Sequence, residues 1–582
     1  MCVAGLLVLD SALLATDEET KRESAQAQVL SSEEVAALKA QLAAQQSQID
    51  QLRKALEKQQ KLLEQSVSGS TGEPAPSVAE PVTPKPFNRL GEVASRIPVL
   101  PSKAGGGSVP TALNDLVKTG GQKTATATNP CEAVPEGPAP AFIRLGSTCI
   151  VPVGFLDLTA VWRDKNPGSS IGSNFGSVPF NNVAAGKNSE FHFSPQNSRL
   201  GVRIDGDWKG AHFIGYNEFD FLGTSASTAL SVTNGAFVPR LRLFWVDVRK
   251  GPLEFLAGQS WSMLTPNRKG ISPLPGDLFY TQVVDVNYVI GLTWTRQPGM
   301  RVLFHPNDKV TVGFSAENPD QYIGGSAGGS GITLPAALGA LASTQLDNAP
   351  NISTGSNPVQ VTPTIHPDFI VKLALDPSSR FHFEVAGIER TFRVWNPNTA
   401  PALGAGTRST VAGGGIQAGF NAEIFKNFRV ISTNYWSDGG GRYLFGQAPD
   451  AIVRSDGSLS LIHSGGTVDG FEATVKNFLI YAYYGGVYVG RNTALDANGT
   501  TKIGYGYAGA PNSQNRAINE ITFGFNQTFW RSPRYGAINL MTQYEWLQRD
   551  PWAIATGAPK AAHDSTIYVN VRYTLPGGIP NF

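Results

Sequence analysis

The feature that most constrains the fold is a two-residue alternation of apolar and charged side chains across residues 199–261. Successive side chains of a β-strand point to opposite faces, so each strand here has an apolar face and a charged face. In the third of these strands the alternation predicts an apolar face of Leu241, Leu243 and Trp245 and a charged face of Arg240 and Arg242. A face this rich in charge is unusual in the dry core of a β-sandwich. Strands of about ten residues, apolar outside and charged inside, instead predict a closed barrel in lipid.

The same pattern continues to the end of the chain and predicts about sixteen antiparallel strands, an even number as in bacterial barrels. One of them is expected to be a single long strand over residues 286–305, bulged at Pro298. The last strand gives the clearest alternation, with Ile567, Val569, Val571 and Tyr573 outward and Thr566, Tyr568, Asn570 and Arg572 inward. A mean hydropathy of −0.13 is compatible with a membrane protein, because a barrel strand is apolar on one face only.

The N-terminal part of the chain is organised differently. Residues 1–27 contain an apolar run and are expected to be a signal-peptide-like segment. Residues 31–67 carry a heptad pattern that predicts a coiled-coil trimerisation helix in the periplasm. Its seam residues are Val35, Leu38, Leu42, Ile49, Leu52, Leu56 and Leu63. Residues 68–148 are rich in Pro, Gly and Ser and predict a linker, which leaves residues 149–582 for the outer-membrane β-barrel. The heptads leave the oligomeric state open, and we favour a trimer because pores of this type are commonly threefold.

Two cysteines, Cys131 and Cys149, bracket the beginning of the barrel. In an oxidising periplasm they are candidates for a disulfide that closes a short loop, and two buried free thiols are the alternative.

The loop at residues 261–285, after the fifth predicted strand, is too long for a periplasmic turn. In general porins the loop in this place folds into the lumen and narrows it, and we expect the same here; a plain surface loop is the alternative. The loop would bring its own charged side chains to a constriction, next to those on the inner face of the strands. The candidates for lining the pore or its constriction are Arg199, Arg203, Glu218, Asp220, Arg240, Arg242, Arg268, Lys269, Asp277, Arg296, Arg301 and Arg572. A slight basic excess among the inward charges predicts weak anion preference, although the charges could instead pair and stiffen the wall.

Several short motifs resemble the trimeric DcaP-like outer-membrane porin family, a branch of the broad porin superfamily. They are RLRLFWVDV and LAGQSWSML within residues 240–264, TRQPGMRV at 295–302, FSAENP at 314–319, YAYYGGVYVGRN at 481–492 and TQYEWLQRDPW at 542–552. The resemblance implies a trimeric barrel of sixteen strands with periplasmic N-terminal helices, which passes small organic acids. Outer-membrane barrels usually end in a strand that runs straight into a terminal Phe. Here the segment 575–581, with two prolines, precedes Phe582.

The sequence therefore predicts a water-filled trimeric diffusion channel for small hydrophilic solutes, organic acids or other anions among them, in the outer membrane of a Gram-negative-type bacterium. Its expected partners are outer-membrane lipid, two further copies of the chain and, as an option, peptidoglycan. One alternative is a structural or adhesive anchor that links the barrel to the cell wall through the coiled coil. A barrel enzyme is less favoured, because we find no catalytic spacing, no metal-ligand cluster and no cofactor motif. A net charge of +1 gives no indication of nucleic-acid binding.

Overall fold

The computed structural model describes residues 143–223, 237–279, 282–324, 329, 331–338, 345–346, 364–396, 407–532 and 535–576. The predicted signal-like segment, the coiled coil with all its seam residues, and the linker as far as residue 142 lie outside these ranges. Within these ranges, no helix has the length and apolar character needed to span a bilayer.

The described strands are numbered here in chain order. They are β1 (Ile143–Leu145), β2 (Thr148–Arg163), β3 (Glu190–Ser194), β4 (Arg199–Trp208), β5 (Ala211–Gly223), β6 (Val238–Lys250), β7 (Leu253–Trp261), β8 (Arg296–Asn307), β9 (Val310–Glu317), β10 (Asp368–Ser378), β11 (Phe381–Asn396), β12 (Thr407–Phe425), β13 (Phe428–Asp438), β14 (Ala451–Val453), β15 (Leu459–Leu461), β16 (His463–Val475), β17 (Phe478–Val489), β18 (Asn492–Leu495), β19 (Lys502–Tyr505), β20 (Asn515–Ser532), β21 (Gly536–Pro551) and β22 (Ala562–Thr574). Short 3₁₀ turns occupy Phe175–Ser177, Ala184–Lys187, Ala336–Leu338 and Gly441–Tyr443.

Sixteen of these strands close an antiparallel barrel, as the sequence predicts. Closure occurs at β2, where Asp157 pairs with Arg572 of β22 on one side and Val151 pairs with Arg203 of β4 on the other. Short β1 and β3 extend the two edges of β2. The remaining short strands form the hairpins β14–β15 and β18–β19, which belong to the long connections. We call the rim that carries the tight turns, such as residues 209–210 between β4 and β5, the short-turn end. The opposite rim, where the long connection between β7 and β8 begins, is the long-loop end.

The last strand has the predicted inside and outside faces. Ile567 and Val571 are 44% and 54% exposed, whereas Tyr568 and Asn570 between them are fully buried. A strand with this alternation presents its apolar side chains to the surroundings of the barrel and its polar side chains to the interior.

In β6 the predicted alternation is wrong beyond the fifth residue of the strand, Arg242. Leu241 is 42% exposed, but Leu243 and Trp245 are buried inside the barrel rather than facing lipid. The cause is a β-bulge, because Glu218 of β5 pairs with Leu243 while the next residue, Phe219, pairs with Leu241. One extra residue reverses the facing of every later side chain in the strand.

The predicted long strand over 286–305 is also corrected. β8 begins only at Arg296, and the preceding ten residues lie inside the barrel, off the sheet. Val289, Ile290 and Leu292 are each 1% exposed, so this run lacks the alternating exposure of a wall strand. A continuous apolar run is ambiguous between a strand and a buried connection.

Candidate functional site

The described residues of the connection between β7 and β8, 262–279 and 282–295, lie in the interior of the barrel, and we call them the inward segment. It runs first towards the short-turn end, where Asn267 bridges to Leu278 and the N–H of Arg268 donates to the carbonyl of Asp277 at 2.7 Å. The tip of this hairpin reaches the end of β10, because the N–H of Gly270 donates to the Asp376 carboxylate at 2.9 Å. The segment therefore extends along the inner face of the wall.

The inward segment is held from one side by three of four buried glutamates on β11, β16, β20 and β21, and we call these four the acidic wall. They are Glu384, Glu472, Glu520 and Glu545. Backbone N–H groups of Asn267 and Ile290 each donate at 2.9 Å, to Glu384 and to Glu520 respectively. Glu545 accepts from the hydroxyl of Ser173, which lies in the connection after β2. A buried carboxylate needs such donors, since an unsatisfied one is costly.

Arg268 makes the strongest of these attachments, a two-pronged ion pair with Glu472 whose shorter contact is 2.7 Å. Its guanidinium also lies 5.1 Å from the centre of the Phe279 ring. Burial acts to lower the pKa of Arg268, but the Glu472 carboxylate outweighs it and the pKa is raised. The arginine is therefore firmly charged and pins the tip of the inward segment to the wall.

Glycines of the wall allow the middle of the inward segment to approach β16 and β17 closely. A Cβ at Gly485 would lie 2.2 Å from the carbonyl oxygen of Ile290, and one at Gly466 would lie 2.8 Å from the carbonyl oxygen of Gly291. Gly291 itself has a φ of +92°. We call Gly466 and Gly485 the glycine socket, because any larger residue at either position collides with backbone.

The last part of the inward segment is held by the loop after β13. The N–H of Trp294 donates to the carbonyl of Tyr443 at 3.0 Å, and the Trp294 ring stacks on Phe445 with ring centres 4.6 Å apart. Tyr443 in turn donates to Asp368 of β10 at 2.9 Å. Both ends of the segment are thus attached to different parts of the barrel.

Arginines gather on the opposite side of the interior, and we call them the arginine wall. They are Arg199, Arg240, Arg242, Arg296 and Arg572. Asp220 accepts from both Arg240 and Arg242 at 2.7 Å, and Glu218 accepts from Arg242 at the same distance. Asp157 pairs with Arg572 at 2.9 Å. Five guanidinium groups thus share three carboxylates, which leaves this wall positively charged.

Several N–H groups of the arginine wall point away from these partners. Nη2 of Arg242, Nη1 of Arg296, and both Nε and Nη1 of Arg572 are buried and have no hydrogen-bond partner within the described residues. Arg296 lies against two indole rings, 5.2 Å from Trp261 and 5.6 Å from Trp294. Donors held in a buried, positively charged surface are suited to anionic groups.

The predicted pore-lining residues do not form one ring. Arg203 pairs with Asp205 at 2.6 Å, and Arg301 donates to Ser260 and to the carbonyl of Trp261, so both stiffen the wall locally. Lys269 and Asp277 lie at the short-turn end, beside a cavity, and apart from the arginine wall. The candidates from the strands and those from the loop tip therefore belong to two separate places.

Sequence reasoning missed two residues that position the inward segment. The inward position of Glu472 could have been predicted from the alternation of β16. Phe471 beside it is 40% exposed, and Glu472 therefore faces the interior. The position of Asp285 could not have been predicted in this way, because the apolar run after it resembled a strand. Its carboxylate accepts from the N–H of Ser173 and from the hydroxyl of Tyr568, at 2.9 and 3.1 Å. These contacts link the inward segment to β22 and to the connection after β2.

Cys149 is disulfide-bonded. Its predicted partner, Cys131, lies outside the described residues, so the pairing stays a prediction. A search of the described part of the chain finds no group of three or more His, Cys, Asp or Glu side chains arranged to hold a metal ion.

Comparison with solved structures places the barrel among porin-like folds. The outer membrane channel DcaP of Acinetobacter baumannii matches with a TM-score of 0.52 and 14% identity, over 75% of this chain and 99% of that one. An anion-selective porin from Comamonas acidovorans matches with a TM-score of 0.41 and 11% identity, over 73% and 99%. OmpF of Salmonella typhi, in complex with daunomycin, matches with a TM-score of 0.39 and 10% identity, over 75% and 100%. No protein-family model and no curated protein matches the chain.

Of these three, the DcaP likeness supports the resemblance inferred from the motifs. At 14% identity this likeness establishes the fold alone. The predicted resemblance to DcaP is therefore confirmed for the fold of the barrel.

Proposed function

We propose that this protein is an outer-membrane diffusion channel for small hydrophilic solutes and that it prefers anions. The observation that carries the proposal is the arginine wall. Its five guanidinium groups exceed the three carboxylates that they contact, and several of its buried N–H groups have no partner among the described residues. In a narrow aqueous passage, an excess of fixed charge of one sign raises the local concentration of the opposite ion.

The inward segment is the constriction element in this proposal. It attaches to the acidic wall, where the Arg268 guanidinium offsets the charge of Glu472 and backbone N–H groups donate to Glu384 and Glu520. The arginine wall then supplies the field that a permeating ion experiences. Small organic acids are the solute class that the sequence resemblance implies, and their carboxylates suit the planar donors of arginine.

The heptad pattern of residues 31–67 supports oligomerisation through a coiled coil. We propose that the oligomer is a homotrimer with this coiled coil in the periplasm, where peptidoglycan is a candidate partner. Outer-membrane lipid then surrounds the apolar outer face of each barrel.

The variant Arg296→Gln tests the anion preference. Arg296 stacks on Trp261 and Trp294, so glutamine removes its charge while retaining a side chain that can pack there. We expect the reversal potential under a potassium chloride gradient to move towards that of a cation-selective pore. Lys209→Gln, at an exposed turn between β4 and β5, removes the same charge far from the interior and should leave the potential unchanged. An unchanged reversal potential in Arg296→Gln would contradict the role of the arginine wall.

A further inference from the structure

A cavity of about 150 Å³ lies inside the barrel at the short-turn end, between the inner faces of β5–β10 and the tip of the inward segment. Lys269 and Asp308 are exposed at its rim, whereas Asp247 and Glu254 lie deep within it. The arginine wall contributes none of the residues that line this cavity. It is therefore a second site, distinct from the proposed anion path.

The charge of this cavity is opposite to that of the arginine wall. Five carboxylates line it, and the basic side chains that accompany them are Arg249 and Lys269. The five are Asp247, Glu254, Asp277, Asp308 and Asp376. Two histidines, His212 and His305, also line the cavity, and protonation of either would offset part of the negative charge. A concave surface with this balance concentrates cations.

Asp247 is the most informative of these carboxylates. It is 7% exposed, and its Oδ1 has no hydrogen-bond partner among the described residues. Glu254, on the neighbouring strand, has a contact of 3.0 Å between its Oε2 and Nε2 of His305. Register places both side chains close together, since Arg249, two residues after Asp247, pairs with Glu254. A buried carboxylate oxygen without a donor is costly, so a bound donor at this point would stabilise the protein.

Apolar side chains form the rest of the lining, among them Ile214, Ile271 and Leu274. A carboxylate end and an aliphatic side together match an alkyl chain that carries a charged donor. A bare metal ion would leave the aliphatic side unused, and the described residues offer no group arranged to hold one.

We propose that this cavity binds a small primary ammonium ion. The ammonium N–H groups donate to Asp247 and Glu254, and the alkyl chain packs against Ile214, Ile271 and Leu274. Lys269 carries an ammonium group of its own at the rim, so it competes electrostatically with the ligand. The site goes beyond the proposed function, because it takes ions of the opposite sign to those favoured at the arginine wall.

Calorimetric titration of the refolded full-length protein in detergent micelles with n-butylammonium chloride tests the proposal. We expect saturable binding that Asp247→Asn weakens about tenfold, since a charge-assisted hydrogen bond is lost. Asp247→Asn should fold, because asparagine is neutral and nearly the same shape as aspartate, so no new buried charge is created. Lys269→Gln should strengthen binding. The control is Asp456→Asn, a change to an exposed carboxylate in the turn between β14 and β15, which should leave binding unchanged.

Tetramethylammonium chloride is the matched control ligand, because it has the same charge and no N–H donor. Three results would each overturn the proposal. They are equal binding of butylammonium and tetramethylammonium, equal butylammonium affinity in Asp247→Asn and the wild type, and no saturable butylammonium binding by a folded wild-type protein. Conductance measured on the same preparation separates this result from the proposed function. A channel that conducts but does not bind butylammonium would refute the ammonium site alone.

Discussion

Arg268 is the residue on which the position of the hairpin tip most depends. It crosses from the inward segment to Glu472 of β16, and both partners are nearly buried. Breaking a buried pair by removing one partner typically costs about 3–5 kcal/mol, because the remaining charge is left uncompensated. The other contacts of the tip are hydrogen bonds such as that of Gly270 to Asp376, which are individually weaker.

Arg268→Gln should therefore release the tip of the inward segment while the barrel, held by its strand ladders, still closes. We expect a larger and noisier single-channel current than in the wild type. Lys250→Gln, which removes an exposed charge at the same end of the barrel, is the matched control. A folded Arg268→Gln protein with wild-type current would show that the ion pair does not fix the constriction.

Asp285 gives the inward segment a dependence on pH. Burial raises the pKa of this carboxyl, although the Asn287 N–H, the Ser173 hydroxyl and N–H, and the charge of Arg163 act to lower it. Glu520 and Glu545 face the same carboxyl, and mutual repulsion among the three groups favours protonation within the set. The folded protein thus holds this proton more tightly than the unfolded chain. Its contribution to stability is full below the unfolded pKa of about 4 and is lost as the pH rises through the higher folded pKa.

We expect the thermal unfolding midpoint of Asp285→Asn, followed by circular dichroism in micelles, to fall less between about pH 4 and pH 8 than that of the wild type. Asp456→Asn serves as the control, because that carboxyl is exposed and its pKa is lowered, chiefly by the Ser458 hydroxyl. Any change of stability that it causes with pH therefore falls at lower pH than that of Asp285. Parallel curves for Asp285→Asn and the wild type would exclude Asp285 as a source of the dependence.

Among the elements, the inward segment and the two wall strands β16 and β17 form one packed unit. The glycine socket makes this possible, since Gly466 and Gly485 bring the backbone of residues 289–291 against the wall. Overpacking a close contact typically costs about 1–3 kcal/mol, and here the collision is with backbone that cannot rotate away.

Gly485→Ala should displace the middle of the inward segment, because the new Cβ would lie 2.2 Å from the Ile290 carbonyl oxygen. We expect altered conductance and faster proteolytic cleavage within residues 262–295. Gly215→Ala is the matched control in β5, where the nearest atom would be at an ordinary 3.6 Å. Identical cleavage rates for the two alanine variants would argue against the socket.

Alternation predicted the wall strands well because lipid and water impose opposite demands on neighbouring residues. The same alternation failed to predict the structure where a segment does not have lipid on one face and water on the other. Residues 286–295 are buried on every side, so apolar side chains occur in succession and resemble a strand. In β6 the bulge near Leu243 depends on pairing with β5, which a single strand's sequence does not reveal.

For the whole molecule, the number of strands follows from alternation summed over many segments, so a local error in the predicted facing of side chains did not change it. The separation of charge inside the barrel was less predictable. The sequence indicated which charges face inward, but the two walls arise from strand order around the barrel, and the inward segment's choice of the acidic wall depends on tertiary contacts such as Arg268–Glu472.

The channel proposal is tested by single-channel recording of the refolded full-length protein in a planar bilayer. We expect ohmic current steps that occur in threes, a reversal potential on the anion side under a salt gradient, and block by added succinate. A protein that is folded and inserted but passes no current would contradict the channel assignment.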